Sequence, residues 1–324
     1  MSSNASPALP VFSLAAFEGA DAPGRAVIAG EVRRACEGHG FLYLVEHGIS
    51  PELTDRVLTQ SRRFFDLPEA DKRRVDKAAS PCNRGYEPLR GQVLEPGAPP
   101  DLKEGYYIGA DLPPSDLRVA AGLFNHGPNQ WPEGLPGWRE TMERYFAELS
   151  ALCARVMEML ALSLDLPPGA FDRFCEDPMA TLRLLHYPPQ PAQPAPGEKG
   201  CGAHTDFGAL TLLLQDDAGG LQVLDGERGW IDAAPMPGAF IVNLGDLVAR
   251  WTNDRYRSTL HRVINTSGRE RYSVPFFFTG RADHVVACLD TCRAAGEAPR
   301  YPPTTPIGHL QEMYRRTYAG PDAA

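Results

Sequence analysis

Between Trp138 and Leu166 the apolar residues Met142, Tyr145, Phe146, Leu149, Leu152, Val156, Met159 and Leu160 recur three or four apart, the spacing of one helical face, and Pro167-Pro168 stops the run. This is the longest helix the pattern predicts, and its single stripe suits a backing helix for a sheet. Helical spacing also runs from Arg25 to Glu37, where Gly38-His39-Gly40 halts it, and from Pro51 to Phe65, ended by Asp66-Leu67-Pro68. Between these two helices Phe41 to Val45 reads as a short buried strand, and His47-Gly48 turns the chain.

Past Ala180 the period changes. Thr181–Leu185, Leu210–Leu214, Leu221–Leu224, Phe240–Leu244, Leu260–Asn265 and Ser273–Phe278 are short apolar runs separated by turn residues, without helices between them. Such spacing predicts a double-sheet jelly roll, the double-stranded β-helix, or a barrel. The fold class is therefore mixed α/β: a jelly-roll core with flanking N-terminal helices and a long backing helix. Residues 1–178 are expected to pack as a helix and strand region on a core spanning 179–324, which ends in a C-terminal helix near His309 to Tyr318, and the two form one compact unit. The stretch from Pro81 to Pro114 is rich in Gly and Pro and reads as loop and short strand, suited to wall a pocket. Proline at every two or three residues keeps Pro188 to Pro196 out of a central strand. Ser2 to Pro10 and Gly320 to Ala324 read as tails.

With 324 residues and 43% hydrophobic content the chain can bury a substantial core. A formal net charge of −9 disfavours nucleic acid and anionic membranes, whose phosphates need a positive face. No apolar run reaches membrane-spanning length, and the start lacks the regions of a signal peptide, so a cytoplasmic protein is expected, as monomer or weak homodimer. Seven cysteines, scattered and odd in number, fit reduced thiols. Cys201 is expected to pack as a small residue beside a turn.

Chemistry concentrates at His204-Thr205-Asp206. Alternate residues of a strand share a face, so His204 and Asp206 can reach one point while Thr205 looks away. Two imidazoles and a carboxylate on one face of an octahedron, with the other positions open, form the site of non-haem Fe(II) oxygenases. No cysteine pair at zinc spacing accompanies them. From the residues alone the third ligand stays open: His39, His126, His186, His284 and His309 compete with His261, and all five read as structural. Asp246, on a turn after a strand, reads as a partner for local backbone.

The ordered motifs resemble a known family. They are Gly40-Phe41-Leu42-Tyr43-Leu44 with His47-Gly48, Phe64-Phe65-Asp66-Leu67-Pro68, Arg84-Gly85-Tyr86, Asp101-Leu102-Lys103-Glu104 and Arg183-Leu184-Leu185-His186-Tyr187-Pro188-Pro189. Gly202-Ala203-His204-Thr205-Asp206, Gly219-Gly220-Leu221-Gln222-Val223, Gly238 to Asp246, Ser258 to Val263 and Arg271 to Phe277 continue the series. Over most of its length the chain is similar to the iron(II)- and 2-oxoglutarate-dependent dioxygenases, in the branch that includes isopenicillin N synthase and plant flavonoid and gibberellin oxygenases.

That resemblance implies His204, Asp206 and His261 as catalytic iron ligands, with 2-oxoglutarate and O2 as cosubstrates. It implies Arg271 and Ser273 as holders of the remote 2-oxoglutarate carboxylate. Chemistry agrees, since a guanidinium fork matches a carboxylate and a hydroxyl two residues along shares its face. Tyr187 corresponds to a tyrosine that hydrogen-bonds the cosubstrate, or serves as a core aromatic. Leu185 stands where plant members carry an asparagine. Arg84 and Phe277 are implied near the substrate, against plainer readings as a solvated loop arginine and a core aromatic. The implied reaction hydroxylates, desaturates or cyclises a small molecule and releases succinate and CO2. A small residue in place of the carboxylate marks the related halogenases, and Asp206 departs from that. Rival readings are a 2-oxoglutarate-independent oxidase of the isopenicillin N synthase or aminocyclopropanecarboxylate oxidase type, an ethylene-forming enzyme, and a non-catalytic small-molecule sensor.

Overall fold

The computed structural model describes residues 9–294 and 296–318; the tail residues 2–8 and 320–324 lie outside them. Twelve strands are described: β1 Val11–Ser13, β2 Phe41–Val45, β3 Gly85–Glu87, β4 Glu104–Ile108, β5 Pro178–Tyr187, β6 Cys201–His204, β7 Leu210–Gln215, β8 Leu221–Asp225, β9 Gly229–Asp232, β10 Phe240–Leu244, β11 His261–Val263 and β12 Arg271–Arg281. They form an eight-stranded sheet, ordered β1-β2-β10-β7-β12-β5-β4-β3, and a four-stranded sheet, ordered β6-β11-β8-β9. This is the jelly-roll core that the strand spacing predicts. Residues before 178 do more than pack on it: β1 and β2 extend the large sheet beyond β10, and β3 and β4 extend it beyond β5.

The helices begin where local chemistry satisfies their free N–H groups. Asp21 caps the helix Ala22–Gly38 by accepting from Gly24 N, and Ser50 caps Pro51–Phe65 by accepting from Leu53 N. After the first of these, Gly40 takes φ +64°, and a Cβ there would lie 2.0 Å from Arg257 O, so only glycine lets the chain turn into β2. The long helix spans Trp138–Ser163, and its stripe from Met142 to Leu160 is buried apart from Phe146, which is half-buried against the core. Together with the helix Pro51–Phe65 it shares one large apolar cluster with Leu182, Leu184, Leu212, Val274, Phe276 and Phe278 of the large sheet. A second cluster joins Phe41, Leu185, Tyr187 and Ile241 of the large sheet to Cys201, Leu221, Val223 and Val263 of the small one. It forms the floor on which the polar site is built.

Three boundaries differ from the periodicity. β5 and β12 are longer than expected because they pair antiparallel from Arg271↔Tyr187 to Arg281↔Pro178. The expected run Leu260–Asn265 yields only His261–Val263, since Asn265 turns its amide onto Tyr187 O, Pro188 O and Arg269 O. β6 and β9 carry too few apolar residues to announce themselves. No helix among the described residues is long and apolar enough to cross a membrane.

Candidate active site

β6 and β11 pair with His261 directly opposite His204, which brings the two imidazole centroids to 4.3 Å. Each ring has its Nδ1 against a backbone carbonyl two residues back: His204 on Gly202 O at 2.8 Å, His261 on Thr259 O at 3.1 Å. The tautomer so fixed carries its proton on Nδ1 and turns the Nε2 lone pair toward the partner histidine and Asp206.

Asp206 does not sit on the strand, contrary to the alternation reading. β6 ends at His204, and Asp206 lies just past it, where its carbonyl accepts from Asp246 N at 2.8 Å. Its carboxylate is nonetheless fixed. Thr211 Oγ1 and Asn243 Nδ2 donate to Oδ2 at 2.6 and 2.7 Å, while Oδ1 lies 3.8 and 3.7 Å from the Nε2 atoms of His204 and His261. Those separations are too long for hydrogen bonds. The three ligand atoms therefore converge, all within 4.8 Å of one another, without satisfying each other. Among the described residues this is the group of His, Cys, Asp and Glu side chains with the geometry to hold a metal ion. Burial pushes both imidazoles toward the neutral form, His261 down to about 4, which is the form that ligates. Burial works against an ionised Asp206, but the imidazoles and the Asn243 and Thr211 donors hold its carboxyl below the usual range. An octahedral cation taking two nitrogens and one oxygen fits this donor set.

From the ligands a cavity runs between the sheets to Arg271. It is lined by Tyr187, Leu185, Lys103, Ser273 and Asn243 as well as the triad. Arg271 is wholly buried, and its guanidinium donates to three neutral acceptors, Gly219 O at 2.6 Å, Ser273 Oγ at 3.1 Å and Gln215 Oε1 at 3.1 Å. It lies over the Tyr187 ring, its cross-strand partner, at 4.7 Å. A buried guanidinium with only neutral partners has its charge available for an anion. On the other side of the ligands a cleft opens along Thr205, Phe207, Phe277, Thr279, Leu310 and Tyr314, with Gln92, Leu94 and Tyr107 from the Gly/Pro-rich stretch and Arg183 at the junction.

Residues 9–134 match the family of N-terminal regions described as non-haem dioxygenase in morphine synthesis, and residues 178–280 match the 2OG-Fe(II) oxygenase superfamily. The chain belongs to the 2-oxoglutarate- and Fe(II)-dependent oxygenases. A 2-oxoglutarate-Fe(II) type oxidoreductase, hxnY, of Emericella nidulans is 46% identical over 319 residues, which cover 97% of this chain and 91% of the relative. The crystal structure of a full-length Neurospora crassa protein in complex with alpha-KG and thymine superposes with a TM-score of 0.84 at 31% identity, covering 95% of this chain and 97% of that one. JOX2, solved in complex with 2OG, Fe and JA, gives a TM-score of 0.77 at 32% identity over 95% and 85% of the two chains. The protein is thus a 2-oxoglutarate-dependent dioxygenase of the isopenicillin N synthase-like branch, using Fe(II), 2-oxoglutarate and O2.

Most of the residues that the family resemblance singles out meet in space, and some do not. His204, Asp206 and His261 come together, as do Arg271, Ser273 and Tyr187, and Phe277 borders both cavities. Leu185, which stands where plant members carry an asparagine, lines the cavity that reaches Arg271 as a buried apolar residue. Arg84 is neither solvated nor extended toward the ligands. It is 2% exposed, and its guanidinium donates to Cys82 O at 2.8 Å and Asn125 O at 2.7 Å, knitting its own loop. Asp246 bonds through its side chain to Ser258 Oγ at 2.6 Å and Thr205 Oγ1 at 3.4 Å rather than to local backbone. His39, His126, His186, His284 and His309, the rivals for the third ligand, stay outside the site: His39 pairs with Asp225 at 2.6 Å and His186 bridges Glu104 and Glu270. Sequence reading missed Thr211 and Asn243. Their signal was present, since a polar residue inside each of the apolar runs Leu210–Leu214 and Phe240–Leu244 needs a buried partner.

Proposed function

We propose that His204, Asp206 and His261 hold Fe(II), that Arg271 with Ser273 and Tyr187 receives the remote carboxylate of 2-oxoglutarate, and that a small organic substrate occupies the cleft beside Phe277 and Tyr314. The convergence of the triad on one side and a wholly buried Arg271 on the other, across one cavity, carries this reading. Iron and 2-oxoglutarate, when bound with O2, supply the oxidising power that breaks a substrate C–H bond while 2-oxoglutarate becomes succinate and CO2. The protein's own part is orientation and dryness. Thr211 and Asn243 leave only Oδ1 of Asp206 for the metal, the Nδ1 contacts fix both imidazoles, and Arg271 with the Tyr187 ring fixes the axis of the cosubstrate. Phe277, Leu94 and Leu310 line the cleft with apolar surface beside the ligands.

Asp206 keeps the third ligand position filled, which supports hydroxylation, desaturation or cyclisation over halide transfer. The Neurospora relative in complex with thymine supports a small-molecule substrate for this chain also. Seven free cysteines support a reducing, cytoplasmic setting. The test is an Fe(II)-reconstituted enzyme supplied with 2-oxoglutarate and O2, with succinate quantified against oxygen uptake for a panel of small heterocycles and acids. Equal release of succinate and oxidised product is expected. Oxygen uptake that proceeds unchanged without 2-oxoglutarate would assign a cosubstrate-independent oxidase instead.

A further inference from the structure

Lys103 sits immediately before β4. It is 3% exposed and lines the same cavity as Arg271, Ser273, Tyr187 and His204. Burying an ammonium is costly unless it is compensated, and the compensation here is one carboxylate, Asp101, itself only 2% exposed. Asp101 is in turn fastened to the strand of the first ligand: its Oδ1 accepts from Gly202 N at 2.8 Å, and Leu102 N donates to Lys199 O at 2.8 Å. Lys103 Nζ also lies 3.6 Å from Cys201 Sγ, which is 3.7 Å from His204 Nδ1, and Tyr187 and Arg183 are close enough to act on its charge. An ammonium has three N–H donors. One meets Asp101 and another faces a thiol, which is a weak acceptor, so donor capacity is left at a wall of the cavity next to the metal-ligand strand.

This placement differs from that of Arg271. Arg271 lines the cavity together with Gly219 O, Ser273 and Gln215 as its acceptors, whereas Lys103 stands on the Nδ1 side of the His204 ring, one sulfur atom away from it. A 2-oxo dicarboxylate spanning the cavity brings two negative ends, and its second end would share the space with the Asp206 carboxylate. We infer that Lys103 is a second cosubstrate-positioning residue, which draws the 2-oxo acid end of 2-oxoglutarate to the triad as Arg271 draws the remote carboxylate; the inference rests on the 2-oxoglutarate reading above. Asp101 holds the ammonium in place, and Gly202 N keeps Asp101 in register with His204.

The experiment is an anaerobic titration of the Fe(II) enzyme with 2-oxoglutarate and with 2-oxobutanoate, which keeps the 2-oxo acid end and lacks the remote carboxylate. Binding is read from quenching of tryptophan fluorescence and from the visible charge-transfer absorption of the iron–2-oxo acid complex. Lys103→Met, and the paired change Lys103→Met with Asp101→Asn that avoids stranding a buried carboxylate, are expected to weaken both ligands by a similar factor of about ten or more. Arg271→Leu is expected to weaken 2-oxoglutarate alone. Lys103→Arg should restore part of the affinity. If the doubly changed enzyme melts like the wild type and binds 2-oxobutanoate equally well, Lys103 only pins its loop and the inference fails. If the wild type itself does not bind 2-oxoglutarate, the reading beneath it fails instead.

Discussion

Thr211 and Asn243 stand directly opposite each other on β7 and β10, and both donate to the same atom, Oδ2 of Asp206. Two neighbouring strands of the large sheet thereby aim a carboxylate whose partner histidines belong to the small sheet. The His204, Asp206 and His261 triad is thus clamped across the two layers of the jelly roll, and the aim of Oδ1 depends on polar residues placed inside otherwise apolar strands.

Loss of either donor is expected to loosen iron without unfolding the chain. Partners that orient metal ligands typically contribute about ten- to a hundred-fold in metal affinity. Asn243→Ala and Thr211→Val should each fall in that range when Fe(II) binding is titrated anaerobically. Wild-type affinity in both would show that Asp206 needs no orienting.

Removing a ligand acts more strongly. His204→Ala, Asp206→Ala and His261→Ala are expected to abolish turnover and strip iron from the purified protein, as measured by metal analysis, while far-ultraviolet circular dichroism stays unchanged. Normal iron and normal rate in the Asp206 variant would remove that residue from the site.

Arg271→Leu tests the clamp. Truncating one side of a buried charged contact costs about 2–5 kcal/mol, or roughly thirty-fold to several-thousand-fold in binding. The 2-oxoglutarate concentration for half-maximal rate should rise in that range, with a much smaller change for the primary substrate. An unchanged cosubstrate dependence would move the role to Arg183, which borders both cavities.

The long helices, the longer strands and the His204-Thr205-Asp206 cluster were legible because each is a local signal: period 3.6 in Met142 to Leu160, short apolar runs in β7 and β10, and three polar residues side by side. What was not legible depends on distance in the fold. That β2 would sit beside β10, and β4 beside β5, is decided by pairing across gaps of many residues. Arg84 illustrates the other difficulty. In sequence it lies in a loop of Gly, Pro and polar residues, the usual company of a solvated side chain, yet the loop folds over it and uses it as a fastener.

Arg84→Ala is accordingly a stability variant. Two buried carbonyls, Cys82 O and Asn125 O, lose their donors, and each unsatisfied group costs about 1–3 kcal/mol, so a loss of roughly 2–6 kcal/mol is expected in urea unfolding. Cosubstrate binding and substrate binding should decline together as the loop loosens. Selective loss of substrate binding at full stability would return Arg84 to the pocket.

His186 offers a pH test away from the metal. Its Nδ1 meets Glu104 Oε1 at 2.7 Å and its Nε2 meets Glu270 Oε2 at 2.5 Å, while its ring stacks on Tyr272 at 4.8 Å. Burial by itself would favour the neutral ring, but the two carboxylates outweigh it and raise the pKa above the ordinary histidine value. A group whose folded pKa exceeds its unfolded one adds stability that is complete below the unfolded value, about 6.5, and is lost as pH rises through the folded value. His186 therefore contributes a stability that declines as pH rises above about 6.5. Glu270 is half exposed, so Glu270→Gln should leave the fold intact, lower the His186 titration seen by proton NMR of its ring, and shift that decline to lower pH. A titration that does not move in the Glu270 variant would mean that Glu104 alone holds the charge.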